Sequence, residues 1–274
     1  MKASISIYFH VHLVSDSTGE TLVAMMKASC AQFAKATPLE HVHSLVRSEK
    51  DMMRALEAIE NKPGVVLHTL LNNDRRLMLE KRCAELGVPA LSVLDPSLSM
   101  LSRYLGASMT SEVGAQRNLD KDYYNRIEAL DYAMAHDDGQ NTNGLSEADI
   151  ILLGISRTSK TPTCIYLANR GYKAGNIPLV PGQAIPEHIK DFKKPFIVGL
   201  VASPTRIVEI REKRLENLHQ DATSYTNADD VRMEMRDAKR MFTKRGYPFV
   251  DITRRSIEET AARIIKLYTQ RQDT

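Results

Sequence analysis

Ile150-Ile151-Leu152-Leu153-Gly154-Ile155-Ser156-Arg157-Thr158-Ser159-Lys160-Thr161 decides how this chain is read. An uninterrupted apolar run as short as Ile150–Leu153 reads as a strand buried on both faces. Gly154 ends it, and Lys160 with Thr161 follows after a turn of small and polar residues. The pattern is that of a phosphate-binding loop, G-x-x-x-x-G-K-[ST], with Ser159 standing at the second glycine. Beyond it, Cys164, Ile165, Leu167 and Ala168 have helical spacing up to Gly171. Pro162 suits the first turn of that helix, because the N–H it lacks would have no helical partner there.

A di- or triphosphate needs several donors and compensating positive charge. Backbone N–H groups in the turn and at the helix start would supply the donors. Lys160 would place an ammonium on the outer phosphate, and the Thr161 hydroxyl would ligate Mg²⁺. Arg157 adds a cation inside the loop. Gly154, Ile155, Ser156, Arg157, Thr158, Ser159, Lys160 and Thr161 are therefore the candidate nucleotide-binding residues. The plainer alternative is a strand-to-helix turn with a solvated lysine. One expected part is missing: the next strong strand, Phe196–Val201, ends in Ala202-Ser203 rather than in an aspartate. A second protein partner for the metal has to come from elsewhere.

Outward from the loop, strands and helices alternate. Strands are expected at 5–14, 42–46, 65–71 and 90–94, with helices at 18–35, 50–60 and 74–86 between them. That alternation implies a doubly wound, mainly parallel sheet. Residues 95–120 have poor periodicity and read as a linker or mobile loop, a candidate docking element for a large partner. A helix follows at 121–134. After the phosphate loop come strands at 177–180, 196–201 and 249–252 and helices at 203–218, 229–245 and 257–270. The expected organisation is an N-terminal α/β domain over 1–95, a linker and helix over 96–145, and a C-terminal P-loop α/β domain over 146–274.

The chain has 274 residues, 43% hydrophobic and 26% charged, as in globular proteins. A net charge of +3 is too mild to argue for nucleic acid. Three widely spaced cysteines, Cys30, Cys83 and Cys164, read as free thiols in a reducing compartment. Neither a signal peptide nor a span of membrane length is evident, so a cytoplasmic protein is expected.

Other constellations carry two readings each. Ser15-Asp16-Ser17-Thr18-Gly19-Glu20 lies between the first strand and helix, where it suits a phosphate or a phosphorylated side chain, or merely caps the helix through Asp16 or Ser17. His136-Asp137-Asp138-Gly139 offers a general base or metal ligand, or simply a helix stop. Arg206, Arg211 and Arg214 form either a phosphate clamp or a solvated face paired with Glu209 and Glu212. His10/His12 and His41/His43 place two pairs on strand faces, without the further ligands a zinc site needs.

Four blocks stand in a telling order: His12 to Thr21, His136 to Gly139, Gly154 to Pro162, and Ser256-Ile257-Glu258-Glu259-Thr260-Ala261. On these blocks the chain resembles the bacterial pyruvate, phosphate dikinase regulatory proteins over essentially its whole length. The phosphoenolpyruvate synthase regulatory proteins share the general pattern, but Thr158-Ser159 is closer to the dikinase type than the Cys-Gly common in the synthase type. The resemblance implies a bifunctional enzyme. One activity moves the β-phosphoryl group of ADP to a threonine of the dikinase and inactivates it. The other removes that group with inorganic phosphate, releasing pyrophosphate. Lys160 would then address the transferred phosphoryl group. Asp137 is our candidate base for the threonine hydroxyl, and Asp16 with Ser17 our candidate receiver of phosphate or phosphothreonine; neither role is carried over from the family. The implied partner is pyruvate, phosphate dikinase, and a homodimer is left open. Competing readings are an ATP-dependent small-molecule kinase and a non-catalytic nucleotide sensor.

Overall fold

The computed structural model describes residues 7–108, 121–217 and 224–272. They belong to two compact units, Met1–Asn118 and Leu119–Thr274. In the first, β1 (Ile7–Val14), α1 (Glu20–Cys30), β2 (Ala36–His43), α2 (Glu49–Asn61), β3 (Val65–His68), α3 (Asn73–Glu85) and β4 (Ala90–Ser92) alternate. All strand pairings are parallel, in the order β2-β1-β3-β4. Val11 and Leu13 of β1 pack with Leu22 and Met26 of α1, while Val14 packs on the opposite side with Met52 and Ile59 of α2 and Leu79 of α3. β2 begins six residues earlier than its apolar end suggested. It is an edge strand, which is where a residue such as Pro38 is tolerated.

The segment after β4 corrects an expectation. Asp95–Leu105 is a helix, α4, with Pro96 in its first turn and left-handed Gly106 as its cap. None of its residues is buried, so no apolar stripe announced it. The remainder of the expected linker, 109–120, lies outside the described residues.

The second unit holds α5 (Lys121–Ala135), β5 (Ile150–Gly154), α6 (Lys160–Asn169), β6 (Ala174–Pro178), β7 (Phe196–Val201), α7 (Pro204–Asn217), α8 (Ala228–Arg245), β8 (Phe249–Asp251) and α9 (Ile257–Gln272). Thus α5 belongs to this unit rather than to a linker. Its four strands are parallel in the order β6-β5-β7-β8. β5 is buried throughout, and its side chains alternate between two cores. Ile150 and Leu152 face Ala129 of α5, Leu167 of α6 and Ile264 of α9. Ile151 and Leu153 face Ile207 of α7 and Phe242 of α8. Helices on both faces of a parallel sheet make this a doubly wound fold. β5 has neighbours reached in opposite directions, so the loop at its C-terminal end sits at the topological switch point, where such sheets bind ligands. The first unit repeats the same strand order, with the Ser15–Gly19 loop in the matching place after β1.

Candidate active site

The phosphate loop leaves β5 at Gly154, where a side chain has no room. A Cβ there would meet the Thr158 hydroxyl at 2.4 Å and the Leu200 carbonyl oxygen at 3.1 Å. The loop then alternates. Arg157 and Ser159 adopt left-handed backbone, with φ of 73° and 55°. Between and after them, buried Thr158 and Lys160 both donate to the Ile155 carbonyl, at 2.9 and 3.3 Å. Left-handed backbone costs a residue with a Cβ about 1 kcal/mol, which is why the motif favours glycine at the Ser159 position. Here the turn is held by its bonds: the Thr163 N–H and hydroxyl both donate to the Ser159 carbonyl, at 3.1 and 2.7 Å.

Burial pushes the Lys160 ammonium below the ordinary lysine range, and Asp138, Cys164 and Asp137 pull the other way. Such a desolvated cation is stabilised by an anionic ligand more than a solvated one is.

A carboxylate reaches the loop from another segment. After α5 the chain turns through His136–Gly139, with Asp138 at φ 46° and Gly139 at φ 77°. Asn176 of β6, fully buried, anchors this turn. Its N–H donates to the His136 carbonyl at 3.1 Å, and its carbonyl accepts the Gly139 N–H at 2.9 Å. Its side-chain oxygen accepts the Asp138 N–H at 3.2 Å, and its amide nitrogen donates to Oδ1 of Asp137. The Thr161 hydroxyl donates to the same Oδ1 at 2.8 Å. Asp137 is thereby fixed beside Lys160 and Thr161. His136 is committed elsewhere: Nδ1 donates to the Tyr132 carbonyl at 2.8 Å, and Nε2 accepts from Asn141 at 3.0 Å.

The Thr161 hydroxyl and the Asp137 carboxylate are hard oxygen donors of the kind Mg²⁺ takes, and that ion completes its shell with phosphates and water. Among the described residues no group of three or more His, Cys, Asp or Glu could hold a metal.

Tyr225 closes the loop's other side. Its hydroxyl lies 3.0 Å from Ser156 Oγ and accepts from Arg157 Nε at 3.2 Å. Burial raises the phenol's pKa, but the bonds from Ser156 and Arg157 and the charges of Arg157 and Arg211 outweigh it, and the net shift is downward. Arg211 is 1% exposed and grips Glu234 of α8 at 2.7 and 3.0 Å, with its guanidinium 4.4 Å above the Tyr225 ring. This overturns the expected face of Arg206, Arg211 and Arg214: Arg211 turns inward, while Arg206 and Arg214 are exposed. A cavity of about 740 Å³ adjoins the loop here, lined in part by Ile155, Leu179, Tyr225, Met233, Asp237 and Met241. Its size suits a small organic ligand.

In the first unit, Asp16 is buried, and its carboxylate accepts the Leu71 N–H at 2.9 Å while its carbonyl accepts Arg47 Nε at 2.8 Å. Ser15 Oγ accepts from the Thr69 hydroxyl and from the Ser17 N–H. The cap of α1 is Gly19, not Asp16 or Ser17, and it makes no side-chain bond. The four histidines stack across β1 and β2. His10 Nδ1 lies 2.9 Å from His41 Nε2, and His12 Nδ1 lies 3.2 Å from His43 Nε2.

The family described as kinase/pyrophosphorylase matches residues 11–265. A protein of Maricaulis maris, provisionally named a pyruvate, phosphate dikinase regulatory protein, is 56% identical over 266 residues, 97% of this chain and 95% of its own. A Caulobacter vibrioides protein of the same provisional name is 54% identical over 95% of this chain and 83% of its own. One from Hyphomonas neptunium is 52% identical over 97% and 96%. Among the described residues no helix is long and apolar enough to cross a membrane.

Proposed function

Because the chain belongs to the kinase/pyrophosphorylase family, we propose that it regulates pyruvate, phosphate dikinase by reversible phosphorylation of a threonine, with ADP as donor and inorganic phosphate as the reverse co-substrate. The observation that carries this reading is the junction of Lys160, Thr161 and Asp137: a phosphate loop with a carboxylate delivered to its catalytic end at 2.8 Å. The names of the relatives support the choice of target.

In this reading the adenosine of ADP occupies the cavity beside Ile155 and Tyr225, and the loop's N–H groups hold the diphosphate. Lys160 neutralises the charge that builds on the β-phosphoryl group. The threonine oxygen attacks the β-phosphorus, the bond to the bridging oxygen breaks, and AMP leaves. Asp137 takes the hydroxyl proton; its Oδ1 is occupied by Thr161 and Asn176, which leaves Oδ2 for that role. In reverse, a phosphate oxygen attacks the phosphothreonine, pyrophosphate leaves, and Asp137 returns the proton to the threonine oxygen. Mg²⁺, when bound, would offset phosphate charge, and Thr161 and Asp137 are the residues that would help hold it. Asp16 braces the Ser15–Gly19 loop, whose Ser17 hydroxyl offers a separate contact for phosphate.

The test is donor specificity. Purified dikinase incubated with this protein and ADP should yield AMP and phosphothreonine in equal amounts. Transfer from ATP with ADP as product would replace this reading with an ordinary kinase, and nucleotide binding without any phosphate on the dikinase would replace it with a sensor.

A further inference from the structure

The loop also presents a second side. Thr158 and Lys160 turn to the Ile155 carbonyl, but Arg157 and Ser159 line a separate cavity of about 260 Å³. Arg206 of α7 and Arg254 and Arg255, just before α9, line it too. Thr253 and Ser256 add hydroxyls. Four arginines thus surround a space smaller than the roughly 300 Å³ at which pockets for drug-sized ligands begin. No Asp or Glu lines it. Acids at its edge offset the charge only in part: Glu209 pairs with Arg206 at 3.4 Å, Glu259 accepts the Ser256 N–H at 2.9 Å, and Asp251, bonded to Thr253, also feels the charge of Arg255. Among the described residues Arg254 and Arg255 have no ion pair. Like charges gathered around one small cavity repel, and an anion relieves that repulsion.

The chemistry selects which anion. Arginine presents paired N–H groups that match phosphate oxygens. A volume of about 260 Å³ is small for a sugar and base together, and the rest of the lining, Ile207, Ile210, Ile252 and Ile257, offers such groups no polar contact. Arg206, Arg254 and Arg255 are exposed, so the mouth is open to a group carried on another protein.

We infer that this arginine-lined cavity is a second phosphate site, distinct from the donor site, that binds a phosphate dianion either free in solution or esterified to the target. The inference rests on the proposed function only for the role of that anion: it holds the phosphorus group opposite the loop in the phosphate-dependent direction.

The experiment titrates the full-length protein by calorimetry with ADP, with inorganic phosphate and with a phosphothreonine peptide, in wild type and in an Arg254→Ala/Arg255→Ala variant. Inorganic phosphate is also titrated into Lys160→Ala, whose donor loop is disabled. ADP affinity should stay within twofold in the arginine variant, while affinity for at least one phosphate probe falls tenfold or more. Loss of inorganic phosphate binding, with that binding retained in Lys160→Ala, assigns the site to the free anion. Loss of peptide binding alone assigns it to the esterified group. Unchanged affinity for both probes overturns the inference, as does an equal loss of ADP binding. Both arginines are exposed, so the fold should tolerate their removal; a matching melting temperature checks this, and Arg206→Ala provides a second variant. Binding is read without any phosphoryl transfer, so failure of the inference is separate from failure of the proposed activity.

Discussion

Lys160 is the residue on which the proposed donor site turns. It is buried and poorly hydrated, which disfavours its charge until an anionic phosphate restores a partner. Replacing it with alanine should lower phosphotransfer about 100- to 1,000-fold, as for other single charge-stabilising donors, without unfolding the unit. Asp137→Asn should cost about 100- to 10,000-fold if Asp137 is the base, because no proton acceptor remains. Raising Mg²⁺ then gives no rescue; recovery at high Mg²⁺ would assign Asp137 to the metal instead. Ser159→Gly separates strain from chemistry. It removes a left-handed Cβ but frees the unfolded chain, two opposing effects of about 1 kcal/mol each. ADP affinity should persist and denaturation should shift by less than about 1 kcal/mol. At this scale the sequence exposed the residues that lie together in the chain, Gly154 to Thr161, and hid those that do not. Asn176 touches Asp137 from 39 positions away, and Tyr225 touches Ser156 from 69. A lone polar residue in the otherwise apolar strand Ala174–Pro178 was the available signal for Asn176; Tyr225 had none.

Elements were legible where burial imposes a period. β5 reads directly because both its faces are covered, and α2 because Met52, Leu56 and Ile59 repeat on one side. α4 escaped for the opposite reason, since it buries nothing. β7 shows how tight the helix-on-sheet packing is. A Cβ on Gly199 would meet the Phe242 ring of α8 at 2.4 to 2.6 Å. Gly199→Ala should therefore destabilise the second unit by about 1–3 kcal/mol, measured by urea denaturation. The histidine stack makes the first unit sensitive to acid. Burial, then the neighbouring charges of His12 and His41, lower His43 to about 4. Burial likewise lowers His12 and His41. The unfolded chain therefore takes up protons below about 6.5 while the folded unit does not, so stability must fall as pH drops from about 6.5 toward 4. A melting temperature that drops through that window, and drops less in a His43→Phe variant, is the expected result.

Across the whole molecule, one strand order serves twice. Both units place a loop at the end of a central strand, after β1 and after β5, where a parallel sheet offers backbone donors to a ligand. That symmetry is invisible as a repeat of residues, because the two loops have different chemistry: hydroxyls and a buried carboxylate in one, cations in the other. The strand–helix alternation was enough to read two such sheets. It did not reveal that α5 belongs with the second, because that depends on packing against α6 and β6 rather than on any local signal. On the proposed function, this protein moves the β-phosphoryl group of ADP to the dikinase and returns it as pyrophosphate. That function is tested most directly with ADP labelled with ³²P at the β position. The label should appear on a dikinase threonine and, once inorganic phosphate is added, leave as labelled pyrophosphate while dikinase activity returns. Label that never reaches the dikinase, or that leaves it as free phosphate rather than pyrophosphate, would overturn the proposed function.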